Sequence, residues 1–219
     1  MAGKDPAALS RTGTALHAEE TGAAMKHPSN RELFEYWNRR RGVRPSPERA
    51  EIEPGAIRHV LADTFILGSD TGAGHHFRIA GTRVCALFGR ELKGAGFLDL
   101  WAAQSRTAVD ELLAIVANES TGVVASVCGT GADDAALDLE LLLLPLSHRG
   151  RGDARVLGAM APAEVPHWVG ASALSGLTLG TRRYLGAADV PARPALRVIV
   201  SRPRGRIKHG LVVYDGGHA

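Results

Sequence analysis

Arg78 and Thr82 flank Gly81 where an apolar, strand-like stretch gives way to a helical one. A guanidinium beside a hydroxyl suits a ligand carboxylate or phosphate. The same pair can instead tie the strand to the next helix. Glu140 stands inside the most apolar run of the chain, Ala135 to Leu146. A carboxylate buried alone is costly, so Glu140 is expected to meet a ligand, to pair with an arginine such as Arg78, or to lie at an exposed strand end. Trp101 can line a pocket or fill the core. Arg78, Thr82, Trp101 and Glu140 are therefore the candidate ligand-binding residues. His75 and His76 carry imidazoles that suit haem iron or another metal. They follow a Gly-rich turn, however, so a surface hairpin position is expected, with no metal and no cofactor.

Catalytic signatures are missing from the sequence. It holds no His-Glu-x-x-His, no Cys-x-x-Cys, no phosphate loop ending in Gly-Lys and no Gly-x-Ser-x-Gly elbow. Gly129-Thr130-Gly131 lacks the third glycine of a dinucleotide loop and reads as a turn. Cys85 and Cys128 lie far apart among apolar neighbours and read as buried reduced thiols. An enzyme is not expected.

Local patterning indicates which elements carry these residues. Asn30 is placed to cap a helix to about Arg41, whose apolar stripe is Leu33, Phe34 and Trp37. Gly42, Pro45 and Pro47 then end it. Pro54 opens a second short helix with Ile57, Val60 and Leu61 on one face. Thr64–Ser69 and His76–Ala80 form a hairpin around an Asp-Thr-Gly-Ala-Gly turn. Residues 82–88 form a short helix, and Gln104 to Asn118 a longer one with Val109, Leu112, Leu113 and Val116 at helical spacing. Three more strands are expected over 121–130, 137–146 and 154–161. Separated runs of strand and helix imply an α+β fold with an antiparallel sheet.

The run from Leu137 to Leu146 is apolar in both alternations: Leu139, Leu141 and Leu143 on one face, Leu142, Leu144 and Leu146 on the other. A sheet with one wet face alternates more cleanly, so both faces must be covered. The second face needs the N-terminal helix, the C-terminal segment or a second copy. Leu33, Phe34 and Trp37 are accordingly the candidate interface of a homodimer.

Composition narrows the classes further. Of 219 residues, 45% are hydrophobic and 22% charged, an ordinary globular balance. A net charge of +3 does not announce nucleic-acid binding. Arginines do cluster at Arg39–Arg41 and at Arg202–Arg206, so a nucleic-acid-associated regulator is the alternative, with nucleic acid not the expected partner. No run of about 18 apolar residues is present, so no membrane span is expected, nor a signal peptide, and the expected location is cytoplasmic. Residues 1–29 read as a disordered tail, with Met25 a candidate initiator, 30–170 as the folded domain, and 171–219 as a flexible basic tail.

The order of elements resembles a PAS fold, and the residues resemble the small bacterial stand-alone PAS proteins. The resemblance rests on Leu33-Phe34-Glu35-Tyr36-Trp37, on Phe77-Arg78-Ile79-Ala80-Gly81-Thr82 leading to Leu87-Phe88-Gly89-Arg90-Glu91-Leu92-Lys93-Gly94, on Leu139 to Leu146, and on Arg155 to Pro162 with Pro166-His167-Trp168-Val169-Gly170. It implies a PAS-like five-stranded antiparallel sheet flanked by helices, with a pocket between them. It further implies a sensory or regulatory module in signal transduction that binds a small ligand or a signalling protein partner. No catalytic motif carries over from it.

Overall fold

A computed structural model describes residues 25–70, 74–131, 135–147, 155–165, 170–185, 205–208 and 211–214. The elements are α1 (Pro28–Arg41), β1 (Thr64–Asp70), β2 (Gly74–Ala80), α2 (Thr82–Leu87), α3 (Ala103–Glu119), β3 (Gly122–Thr130), β4 (Ala136–Leu146), β5 (Arg155–Pro162), β6 (Gly176–Leu185), β7 (Gly205–Lys208) and β8 (Leu211–Tyr214). The first six strands form one antiparallel sheet in the order β2-β1-β5-β4-β3-β6, while β7 and β8 pair separately.

The sheet separates two apolar layers. On its inner face, Phe65, Leu67, Phe77, Leu139, Leu141, Leu143, Val156 and Met160 pack with α2, α3 and the connector between them. On its outer face, Ile66, Val124, Leu142, Leu144, Leu146, Leu157 and Ala159 pack with α1 and the segment after it. The double alternation of β4 thus has its cause: both faces are covered, and the outer cover is the chain's own helix. Leu33, Phe34 and Trp37 are at most 5% exposed within a single chain. The expectation that they meet a second copy gives way to this packing, because their apolar area is already buried.

Other expectations also need correction. The sheet has six strands rather than five. The sixth, β6, lies in the region read as a tail because Gly180, Arg182 and Arg183 obscure its alternation. It is held along β3 with a bulge between Ala125 and Val127, and it places Leu177 and Leu179 in the inner layer. Residues 25–29 belong to the fold, not to a tail: Met25 is buried in the outer layer. The cap of α1 is His27, whose Nδ1 accepts from the Ser29 N–H at 3.1 Å. Asn30 is instead buried inside the helix. The second short helix is two separate turns, Pro54–Ile57 and Leu61–Asp63, with Ile57 and Val60 buried and Leu61 exposed. The remaining N-terminal residues, Pro166 to Val169, and residues 186–204 lie outside the described residues.

Candidate functional site

Four aromatic rings form the centre of the inner layer. Phe65 of β1 and Phe77 of β2 meet edge to face at 5.5 Å between centroids. Phe97 lies 5.7 Å from Phe65 and 5.6 Å from Phe77, and Trp101 lies 5.8 Å from Phe97. Such separations are those of favourable aromatic pairs. The chain makes room for them: a Cβ on Gly158 would overlap the Phe65 ring.

The connector that carries Phe97 and Trp101 is pinned to the sheet at both ends. Gly94 donates its N–H to the Phe77 carbonyl and adopts a positive φ of 83°, which suits glycine. The Phe77 N–H donates to Ala95, and the Phe97 N–H to His75. Beyond the turn Leu98–Leu100, the Ala102 N–H donates to the Leu177 carbonyl, and the Ser105 hydroxyl accepts from the Leu179 N–H. β6 therefore fixes the position of Trp101.

Two polar atoms in this layer have no partner. Trp101 is 1% exposed, and its indole Nε1 meets no acceptor. The His75 Nε2 is likewise buried and unmatched. Burial pushes the His75 imidazole below its ordinary value, with the Asp110 charge opposing. An unmatched buried polar group costs about 1–3 kcal/mol and calls for an explanation.

The four residues expected to bind a ligand do not converge. Trp101 alone lies in the inner layer. Arg78 is the extra residue of a bulge in β2, and its side chain lies across Gly68 on the outer face. Thr82 is the exposed first residue of α2. Glu140 faces the start of α1: its carboxylate accepts from the Lys26 N–H at 2.7 Å, the His27 N–H at 2.9 Å and Asn30 Nδ2 at 3.0 Å. These bonds, and the positive end of the α1 dipole, satisfy its charge without an arginine.

The arrangement can donate hydrogen bonds and stack rings, and at its edge the Cys85 thiol donates to Glu91 Oε1 at 3.7 Å. Cys85 is half-buried, and burial pushes its thiol up; Cys128 is also free and half-buried. His76 bonds locally to the Gly74 carbonyl. Among the described residues no group of three or more His, Cys, Asp or Glu side chains is placed to hold a metal. No helix among them is long and apolar enough to cross a membrane.

The sequence reading missed Asp63. It is 2% exposed and receives both Ser29 and Arg83. An Asp before a strand, with partners 34 and 20 residues away, carries no local signal.

A family model described as a PAS domain matches residues 25–161. No curated protein matches the chain.

Proposed function

The chain belongs to the PAS-domain family, a sensory or regulatory module in general terms, and on that premise we propose that it senses a small molecule in its inner layer and passes the signal on by binding. The observation behind this reading is the buried indole N–H of Trp101, which lacks an acceptor in a layer otherwise closed by rings. A flat or apolar molecule bearing a carbonyl or carboxylate would stack there and accept that N–H. Native mass spectrometry of the purified protein tests this. A stoichiometric adduct that Trp101→Phe removes is the expected result. A chain that is free of adduct, with an inner layer unperturbed by small aromatic carboxylates in NMR titration, overturns it.

A second reading is an adaptor that signals only through a protein partner. It is favoured by the contact of the four rings with one another. The nucleic-acid alternative draws less support: Arg40 pairs with Glu53 and Arg44 with Glu51, each at 3.0 Å, and Arg41 bonds Asn38. The Arg202–Arg206 run falls largely outside the described residues.

A further inference from the structure

Asp63 closes the turn Leu61–Asp63 immediately before β1. Arg83 of α2 grips its carboxylate twice, Nε to Oδ1 and Nη2 to Oδ2, both at 2.6 Å. Ser29 in the first turn of α1 donates its hydroxyl to Oδ2 at 2.7 Å. A single buried carboxylate therefore holds an element of each layer. Through Val84 and Leu87, α2 belongs to the inner layer, and through Leu33, Phe34 and Trp37, α1 belongs to the outer one. Among the described residues no hydrogen bond joins the two helices directly.

The turn that carries Asp63 follows α2 closely. A Cβ on Gly81, at the start of α2, would overlap the carbonyls of Leu61 and Ala62, so the two backbones lie in contact. The Gly81 N–H donates to the Thr64 carbonyl at 2.8 Å, and the Thr64 hydroxyl to Val60 at 2.8 Å. A displacement of α2 is thus felt at Asp63.

We propose that Asp63 is a latch: through its shared carboxylate, the position of α2 sets how firmly the first turn of α1 stays on the sheet. With Arg83 withdrawn, the buried carboxylate keeps the Ser29 hydroxyl and the nearby His27 but loses its paired guanidinium. A charge left so poorly matched is costly, and it regains water if the turn carrying Ser29 lifts. Glu140 still holds residues 26, 27 and 30, so the first turn stays attached but opens more readily, with one of its two anchors weakened. A ligand beside α2 would drive this latch. That input rests on the reading above, whereas the latch itself does not.

Hydrogen–deuterium exchange of the full chain, with no ligand added, provides the test. Arg83 is 54% exposed at its side chain, so Arg83→Gln leaves the core intact. In that variant, amides in the first two turns of α1 are expected to exchange about tenfold faster, the factor one charge-assisted hydrogen bond supplies. Amides of β4 and β5 keep their protection. Arg83→Lys, which keeps the charge, restores part of the difference. Because coupling is reciprocal, Ser29→Ala speeds exchange in α2. The latch is overturned if Arg83→Gln alters α2 alone, if protection falls throughout the sheet, or if Ser29→Ala leaves α2 unchanged. Failure here leaves the ligand reading standing, since that is decided by mass spectrometry.

Discussion

Trp37 and Trp101 are the same side chain, buried to the same degree on opposite faces of one sheet, and they end differently. Trp37 is 3% exposed and donates its indole N–H to the Pro145 carbonyl at 2.8 Å. Trp101 is 1% exposed and donates to nothing. The outer layer is completed by polar contacts: Trp37 to Pro145, Tyr36 to the Glu51 carbonyl, and Glu140 to the start of α1. The inner layer is closed by rings and leaves polar atoms unmatched. Asn30 Oδ1 and Arg155 Nε are buried without a partner as well, so the contrast lies in the two indoles: one N–H is spent on a carbonyl and the other is idle.

The contrast is most sharply tested by overfilling the inner layer. Gly158→Ala puts a methyl group where the Phe65 ring lies, and rigid strands on both sides limit relief. A loss of about 3 kcal/mol in denaturant unfolding is expected. An unchanged midpoint would mean that the ring cluster is loose, and that closure by rings is the wrong description of this layer.

The two tryptophans can also be compared directly. Trp37→Phe strands the Pro145 carbonyl, whereas Trp101→Phe strands nothing, and both lose similar apolar volume. The outer substitution should therefore cost about 1 kcal/mol more than the inner one. Equal costs from equilibrium unfolding would erase the contrast.

The smallest effect concerns pH. Burial alone would raise the Asp63 carboxyl, but the hydrogen bonds from Arg83 and Ser29, with the Arg83 and His27 charges, outweigh it and hold the group below its ordinary value. A carboxyl depressed by folding stabilises the protein above its unfolded pKa of about 3.9, and that contribution is lost as pH falls through the folded value. Acid titration of wild type against Asp63→Asn should show a shallower decline below about pH 4 in the variant. Parallel curves would place Asp63 outside the acid response and leave the link between the layers without electrostatic content.

Much of this molecule is legible in its sequence. The spacing of Val109, Leu112, Leu113 and Val116 marks α3, which runs over Ala103–Glu119. The hairpin of β1 and β2 follows from its Gly-rich turn, and the double alternation of β4 requires a cover on both faces. These signals are local, because periodicity reports which side of an element meets apolar surroundings. They do not name the surroundings. That α1 rather than a second copy covers the outer face was decided by tertiary structure, as was the use of Glu140 to hold the start of α1, 110 residues away from Asn30. The sixth strand was decided in the same way, by its pairing to β3, since its own pattern is broken by Gly180 and two arginines. The idle N–H of Trp101 and the two-sided grip on Asp63 belong to this class as well. A polar side chain can bond any of many partners, and only the folded arrangement selects one, or leaves one without.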